Sequence, residues 1–299
     1  MQSHLSLLDF QEHLDTEEKC FDYLVQARWP EGFVCPRCGN REAYALKTRK
    51  LFQCKLCHHQ VSVTAGTVFH KLRQPLRKLF LAVYLVATSK KGFSAMELQR
   101  KVAISGYKTA WLLLHKIRCG MSSSGLFQLS GVTEVDETFV GGAHPGPRGR
   151  GALGKSVVAV AVEAEHDWIG HAYLEHIPDA GKETLGSFVK EHVAIGSTLV
   201  TDGFGSYVHL GQTYQHKPVK IKEPQDAGKL LPKVHIVIAN LKTWLRGTFN
   251  RYPAQKYLQR YLDEFVFRFN RRWNLELIFD KLLARCVQRT TITLAELKG

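Results

Sequence analysis

The stretch Val132-Thr-Glu-Val-Asp136-Glu-Thr-Phe-Val-Gly-Gly142 decides how the rest of this chain is interpreted. Valines alternate with polar residues up to Asp136 and a glycine pair then interrupts the run, which predicts a strand with an acid at its end. A second predicted strand, residues 197–201, is followed by Asp202-Gly. One such ending is ordinary, because Asp and Gly are turn formers. Two of them in a basic chain predict a site where carboxylates hold divalent metal ions against a phosphate backbone.

The overall charge indicates a polyanionic partner. The 299 residues include 41 Lys and Arg against 27 Asp and Glu, a formal net charge of +14. Nucleic acid and an anionic membrane both fit that excess. No apolar run approaches the roughly 18 residues of a spanning helix, and the first residues lack a secretory pattern. We therefore expect a nucleic-acid partner, no membrane, and a cytoplasmic, nucleoid-associated location.

Four of the seven cysteines form two matched pairs, Cys35-Pro-Arg-Cys38 and Cys54-Lys-Leu-Cys57. Each Cys-x-x-Cys turn presents two thiolates, and two such turns complete the tetrahedral set of one structural Zn²⁺. This predicts a zinc ribbon over residues 31–66, after a helical lead-in over residues 1–30. Four free buried cysteines would not explain the pairing, and a redox pair lacks its strand–helix context. A closed four-thiolate site has no open position, so the ribbon is expected to act as a scaffold.

Residues 67–124 are predicted to be helical and to bind DNA. A short helix over residues 95–102, a turn over 103–106 and a longer basic helix from 107 to 118 have the helix-turn-helix layout. The second helix would present His115 outward and use three basic side chains against DNA: Lys108, Lys116 and Arg118. Two packed core helices joined by a turn are the alternative interpretation.

Residues 125–285 are predicted to form the catalytic domain, and residues 286–299 a C-terminal tail. Three strands (132–140, 156–162 and 168–174), a helix (184–192) and a fourth strand (197–201) fit a ribonuclease-H-like mixed sheet. In that sheet the first and fourth strands are neighbours, so Asp136 and Asp202 would meet. A Gly- and Pro-rich loop between the first two strands carries three basic residues suited to a phosphate backbone: Arg148, Arg150 and Lys155. The whole chain is thus a multidomain protein of mixed α+β and α/β class.

These motifs resemble those of bacterial insertion-sequence transposases of the DDE class. The run from Glu134 to Gly142 resembles their first acidic motif, and Thr201-Asp202-Gly-Phe-Gly-Ser-Tyr207 resembles their second. Residues 257–272 resemble the closing helix of the Merlin-related lineage, whose transposases begin with a zinc ribbon. The resemblance extends from about residue 18 to about residue 280.

The resemblance implies metal-dependent DNA cleavage and strand transfer at the ends of an insertion sequence. It further implies two catalytic Mg²⁺ or Mn²⁺ ions held by the acids. Double-stranded DNA would be the partner, both as the terminal repeats of the element and as target. A homodimer or larger assembly on DNA is expected, because two transposon ends must be held together.

The third metal ligand is the point where the sequence departs from the plain DDE pattern. Asn240, on a predicted helix over residues 234–246, stands where a Glu is expected, and this lineage is known for Asn at that position. Arg246 on the same helix would contact DNA. Glu264 is the competing ligand, although an exposed i,i+4 pair with Arg268 also explains it. Glu137 points to the other strand face and is left out of the site.

Two other functions remain open on these residues. The first is a catalytically inactive zinc-ribbon and helix-turn-helix DNA-binding protein, which Asn240 in place of an acid keeps open. The second is a metal-dependent nuclease that cuts DNA without strand transfer. Joining of a cleaved 3′ end to target DNA distinguishes the transposase from both.

Overall fold

The computed structural model describes residues 6–123, 125–142, 154–165, 167–220, 227–249 and 252–298. The chain forms two compact units. We call Met1–Met121 together with Trp273–Gly299 the N-terminal unit, and Ser122–Arg272 the sheet unit. Among the helices in the described ranges, none has the length and apolar character needed to cross a bilayer.

The N-terminal unit contains a small three-stranded sheet and seven helices among its described residues. Its strands are β1 (Ala43–Leu46), β2 (Leu51–Cys54) and β3 (Gln60–Ser62). Its helices are α1 (Leu7–His13), α2 (Glu17–Arg28), α3 (Leu76–Thr88), α4 (Ala95–Val102), α5 (Tyr107–Met121), α10 (Ile278–Gln288) and α11 (Leu294–Lys298). The sequence predicts where several of them begin, since the Thr16 and Ser94 hydroxyls accept from backbone amides in the first turns of α2 and α4.

Strands β1, β2 and β3 pair antiparallel in chain order, so β1 and β2 form a hairpin. Phe52 of β2 lies in an aromatic cluster with Trp29 and Phe33, with ring centroids 5.1 Å and 5.8 Å from its own. So small a sheet buries little apolar surface of its own. The aromatic cluster and the cysteines of the two turns therefore hold it together.

The C-terminal segment is not a tail. Helix α10 packs against α2, α3 and α5. Its Phe279 is 9% exposed and contacts the rings of Phe10, Phe80 and Tyr84. Trp273–Gly299 belongs to the N-terminal unit, whereas we predicted residues 273–285 in the catalytic domain and 286–299 as a tail. The apolar face of α10 requires a core to cover it, and the aromatic side chains of the first hundred residues provide one.

Helices α4 and α5 have the predicted helix-turn-helix layout, but the prediction that His115, Lys116 and Arg118 face outward is wrong. All three are at most 3% exposed. The Lys116 ammonium donates to the carbonyls of Val68 (2.9 Å) and His70 (2.8 Å) and also contacts the Thr291 hydroxyl. The second half of α5 is surrounded by neighbouring elements, so its cations satisfy backbone carbonyls instead of facing a partner.

The sheet unit is a five-stranded mixed sheet with helices on both faces. Its strands are β4 (Val132–Val140), β5 (Ser156–Glu165), β6 (Trp168–Ile177), β7 (Thr198–Thr201) and β8 (Gln215–Pro218). Its helices are α6 (Lys182–His192), α7 (Ala227–Leu230), α8 (Pro232–Phe249) and α9 (Leu258–Phe269). The strand order is β6-β5-β4-β7-β8, with β4 antiparallel to β5 and parallel to β7. The predicted adjacency of the first and fourth strands is confirmed, while β8 was not predicted.

Alternation along the strands assigns each face its helices. Val158, Val160 and Val162 of β5 pack with α8 and α9, whereas Ala159 and Ala161 pack on the other face with α6. On β4 the even-numbered residues, among them Val140, face α8, and Val135 faces α6. Because Asp136 is also an even-numbered residue of β4, its carboxylate lies on the face that α8 covers.

Candidate functional site

The two acids lie side by side, Asp136 within β4 and Asp202 just after the end of the neighbouring strand β7. The prediction that each acid stands at the end of its strand is wrong for Asp136, because β4 continues to Val140. In the parallel pairing of β4 with β7, Val132 is opposite Thr198 and Glu134 is opposite Val200. The same offset carried two residues further sets Asp136 level with Asp202, just after β7 ends. The carboxyl ends of parallel strands are where open α/β sheets bind ligands. The predicted meeting of these two acids therefore follows directly from the strand register.

Backbone amides hold both carboxylates. The amide of Glu137 donates to Asp136 Oδ1 at 2.9 Å, and the amide of Phe204 donates to Asp202 Oδ1 at 3.0 Å. The Asp202 turn depends on Gly203, whose φ of +71° is a left-handed conformation that other residues rarely adopt. Asp136 is 9% exposed. Each carboxylate is thus oriented by a local backbone amide, within strand β4 for Asp136 and in the turn after β7 for Asp202.

The first turn of helix α8 is bonded to β4, and its His235 imidazole lies next to Asp136. The Glu134 carboxylate accepts from the amide of Val234 at 2.8 Å, in the first turn of the helix. In the next residue, His235 Nε2 lies 3.4 Å from Asp136 Oδ2. This is ion-pair distance without hydrogen-bond geometry, and Nε2 is buried with no hydrogen-bond partner in the described part of the chain. Burial lowers the pKa of His235, Lys242 adds to that shift and Asp202 opposes it.

Three basic side chains lie near the acids. Lys242 follows His235 by about two helical turns and Arg246 by about three, so they share one face of α8. Burial lowers the pKa of Lys242, the positive charges of Arg246 and Lys155 lower it further, and the carboxylate of Asp136 raises it. Lys155 and Arg246 therefore act on Lys242, and Asp136 acts on it as well; we call Lys155, Lys242 and Arg246 the basic cluster.

Neither predicted third ligand is on that face of α8. Asn240 is exposed and, five residues after His235, lies about 140° around the helix from it. Glu264 is on α9, which packs against β6, two strands away from β4. The Glu264–Arg268 pair exists at 3.5 Å, but Glu264 is fully buried, so the expectation of an exposed pair is wrong. Arg268 lies over the Trp244 ring, which is how this pair is accommodated in the core.

A buried pair supports the acids from the opposite face. Glu137 points away from Asp136, as predicted, and accepts from the Tyr207 hydroxyl at 3.0 Å. Tyr207 is fully buried, and its pKa is raised by burial and then by the carboxylates of Glu137, Asp136 and Asp202. This hydrogen bond links β4 to the 3₁₀ segment that follows Asp202, and so connects the two chain segments that carry the acids.

The four ribbon cysteines form a second, separate site in the N-terminal unit. Cys35, Cys38, Cys54 and Cys57 bring their sulfurs within 4.8 Å of one another. Cys35 Sγ is 3.6 Å from Cys57 Sγ, and Cys38 Sγ is 3.6 Å from Cys54 Sγ. Tetrahedral Zn²⁺ with sulfur at about 2.3 Å sets ligands about 3.8 Å apart, so this donor set fits zinc. The Cys57 amide lowers the pKa of Cys54 to about 6, which favours the thiolate that a metal requires.

The predicted DNA contacts divide by exposure. Lys108 and Arg246 are exposed and Lys155 is half-buried, so all three can reach a partner. Lys116 and Arg118 are buried and are removed from the set. Arg148 and Arg150 lie outside the described residues. Sequence reasoning missed His235 and Lys242, although their spacing of seven places them on one helical face above the acid-bearing strand.

Known protein families match a segment in each of the two units. Residues 128–270 match the family described as the ISXO2-like transposase domain. Residues 15–60 match the family described as the transposase zinc-ribbon domain. No solved structure matches the chain.

The chain is also similar to an uncharacterized protein in transposable element ISH50 of Halobacterium salinarum. The two are 26% identical over 213 residues, which cover 66% of this chain and 71% of that protein.

Proposed function

We infer that this chain, which belongs to the insertion-sequence transposases with an N-terminal zinc ribbon, cleaves and transfers DNA strands at a site built on Asp136 and Asp202. The observation that carries this proposal is the β4–β7 register, which brings the two carboxylates level on neighbouring strands. The strand order is β6-β5-β4-β7-β8, in which β6, β5 and β4 pair antiparallel and β4, β7 and β8 pair parallel. This topology supports a ribonuclease-H-like assignment. Transposition acts on DNA, whose negative phosphates are opposite in charge to the basic cluster beside the acids.

The donor set fits divalent cations that prefer oxygen. Asp136 and Asp202 supply carboxylate oxygens, the ligands that Mg²⁺ and Mn²⁺ favour. Two such ions held there, as in other two-metal sites, would activate the attacking oxygen and stabilise the leaving oxygen of a phosphodiester. The chain itself orients both carboxylates through the Glu137 and Phe204 amides, so their position does not depend on the ion.

We propose His235, in place of Asn240, as the third residue of the site. Its buried Nε2 faces Asp136 Oδ2 at 3.4 Å without a hydrogen bond, close to the roughly 3 Å between neighbouring ligands of one octahedral ion. The lowered pKa keeps the imidazole neutral, which is the form that binds metal. The exposed side chain of Asn240 on another face of α8 supports a role outside the metal site.

Lys155, Lys242 and Arg246 are proposed to hold the DNA backbone next to the acids. Phosphate contacts position a duplex without reading its sequence. Lys108, at the exposed start of α5, is proposed to contact DNA as the first turn of a recognition helix. The zinc ribbon would serve as a scaffold, because a four-thiolate site leaves no open position on the metal. Assembly as a dimer or larger oligomer on DNA is proposed because two transposon ends are joined in one reaction.

A strand-transfer assay on the DNA ends of the element tests the proposal. Wild type is compared with Asp136→Asn, Asp202→Asn, His235→Ala, Asn240→Ala and Glu264→Gln, each with Mg²⁺ and with Mn²⁺. We expect both Asp variants and His235→Ala to lose at least about 100-fold of the joined product, more than the loss of an outer-shell partner costs. Asn240→Ala is expected to keep wild-type activity.

Four outcomes would overturn parts of this proposal. Joined product that persists in both Asp variants excludes them as the metal-binding acids. Loss with Asn240→Ala but not His235→Ala restores the ligand that the sequence alone predicted. Cleavage without joining in wild type makes the protein a nuclease, and specific DNA binding with no cleavage makes it an inactive DNA-binding protein.

A further inference from the structure

A second cluster of metal-ligating side chains lies in the sheet unit, at the outer edge of β6. The Glu175 and Glu191 carboxylates and the His192 imidazole bring one ligand atom each within 4.8 Å of one another. His192 Nε2 is 3.0 Å from Glu175 Oε2. We call these three residues the edge cluster. Strand β5 separates β6 from β4, so the cluster is at least about 10 Å from the acid pair.

The fold holds the cluster residues in place from two elements. Glu175 is on β6, while Glu191 and His192 form the last turn of α6. The His192 ring is stacked on Tyr173, with centroids 4.3 Å apart and planes 18° apart, and is only 4% exposed. The carboxyl end of a helix carries partial negative charge, which favours a cation at its last turn. The imidazole is therefore fixed, and the more exposed carboxylates can adjust around an ion.

The cluster opens on a cavity of about 230 Å³ whose lining suits a cation. Asp263 adds a third carboxylate to the lining, and none of the described lining residues is Lys or Arg. This acidic composition contrasts with the chain as a whole, which has a net charge of +14. An anionic site of this kind does not suit DNA, the polyanion that the rest of the protein binds.

Two buried polar groups in the lining lack partners. His192 Nδ1 and the hydroxyl of Ser123, which is 3% exposed, make no hydrogen bond within the described part of the chain. Both residues line the cavity. Buried polar atoms are nearly always satisfied by protein, by water or by a bound ion. A hydrated cation in the cavity would satisfy the second of these groups, since water on the ion can bond to the Ser123 hydroxyl.

From these observations we propose that the edge cluster binds one divalent transition-metal ion, distinct from both the ribbon zinc and the catalytic ions. One imidazole with two carboxylates is a mixed nitrogen and oxygen donor set, which suits Zn²⁺ or Mn²⁺ better than Mg²⁺. Binding replaces the His192–Glu175 hydrogen bond with two metal–ligand bonds. The ion then ties the end of α6 to the edge strand β6, and stabilises the sheet unit.

Calorimetric titration of the full chain with Zn²⁺, starting from protein with its ribbon already loaded, tests the proposal. The Asp202→Asn background weakens binding at the acid pair. In that background Glu191→Gln is compared with Glu183→Gln, which removes the same charge from another exposed position of α6. Neither variant disturbs a buried side chain, so both should fold.

We expect the background protein and its Glu183→Gln form to bind one Zn²⁺ beyond the ribbon ion. Glu191→Gln should bind that ion at least about tenfold more weakly, because it lacks one of three ligands. Zn²⁺ should also slow hydrogen exchange at the end of α6 in every form except Glu191→Gln. Equal binding by Glu191→Gln and Glu183→Gln, or no ion beyond the ribbon zinc, would overturn the proposal.

Discussion

Lys116 is a structural cation, although its sequence context resembles that of a DNA-binding residue. Its ammonium bonds to the carbonyls of Val68 and His70 in the interior of the N-terminal unit. Lys116→Met removes the ammonium donor from both carbonyls, leaves Val68 only its long contact with the Thr291 hydroxyl, and should lower the free energy of unfolding by about 2–4 kcal/mol. Lys108→Met, at an exposed position of the same helix, should change it by less than about 0.5 kcal/mol.

Denaturant unfolding, followed together with DNA affinity, checks this prediction. Lys108→Met should instead weaken DNA binding. A Lys116→Met protein of unchanged stability and weakened DNA affinity would contradict the structural role and return Lys116 to the DNA-binding surface.

His235 should set the metal preference of the catalytic site. Imidazole nitrogen is a better ligand for Mn²⁺ than for Mg²⁺, which prefers oxygen and binds through waters and carboxylates. His235→Asp should therefore raise strand transfer in Mg²⁺ relative to Mn²⁺ by about tenfold. Asn240→Asp introduces the same charge about 140° around α8 and should leave the ratio unchanged. The ratio of the two initial rates is the measurement, and a shift in Asn240→Asp alone would refute the assignment.

At the scale of elements, the zinc ribbon should fold only with its metal. Strands β1, β2 and β3 are three or four residues long and their sheet has little core of its own. Cys38→Ser should remove one zinc per chain and abolish slow hydrogen exchange in all three strands. Cys119→Ser, a half-buried cysteine outside the ribbon, is the matched control and should retain both. Slow exchange in a zinc-free Cys38→Ser ribbon would mean that the aromatic cluster alone suffices.

Helix α10 should stabilise the helices of the N-terminal unit against which it packs. Phe279 packs among the rings of α1 and α3, and Phe279→Ala opens a cavity there that costs about 3–5 kcal/mol. Leu277→Ala, 38% exposed, should cost less than about 1 kcal/mol. Hydrogen exchange in α3 is the readout, because it reports on this unit separately. If α3 exchanges equally in the two variants, the C-terminal segment contributes little to the unit.

Elements with strong local signals could be predicted from the sequence. The alternating valines of β4, the cysteine pairs of the ribbon and the two turns after the acid-bearing strands all carry their own pattern. Strand β8, Gln215–Pro218, was missed because it is mostly exposed and polar, with no apolar alternation. Burial of Lys116 and Glu264 could not be predicted either, since it depends on which distant segments cover α5 and α9.

We propose a third ligand other than Asn240 for a geometric reason. Sequence reasoning compared Asn240 with the residue type expected after the second Asp, without knowing the rotation of α8. The Glu134 contact with the Val234 amide sets that rotation and turns His235 toward Asp136. A single side-chain cap between distant segments therefore sets which residue of α8 faces Asp136.

On the scale of the whole molecule, the chain passes from the N-terminal unit into the sheet unit and returns to the former at Trp273. Both connections are single crossings of the chain, at residues 121–122 and 272–273. The N-terminal unit supplies the zinc ribbon and the helix-turn-helix layout, and the sheet unit supplies the acids with their basic cluster. Under the proposed function, DNA recognition belongs to the N-terminal unit and strand transfer to the sheet unit.

Iron-mediated cleavage of the polypeptide itself is the most direct test that Asp136, Asp202 and His235 share one metal site. Fe²⁺ bound at the proposed catalytic site reduces added hydrogen peroxide to hydroxyl radical and hydroxide, and ascorbate regenerates Fe²⁺. The radicals cut nearby backbone, and mass spectrometry locates the cuts. Our account predicts cuts near Asp136, Asp202 and His235 that vanish together in Asp202→Asn and are suppressed by excess Mn²⁺. Cuts near only one of these residues, or cuts that move to Asn240 or Glu264, would contradict it.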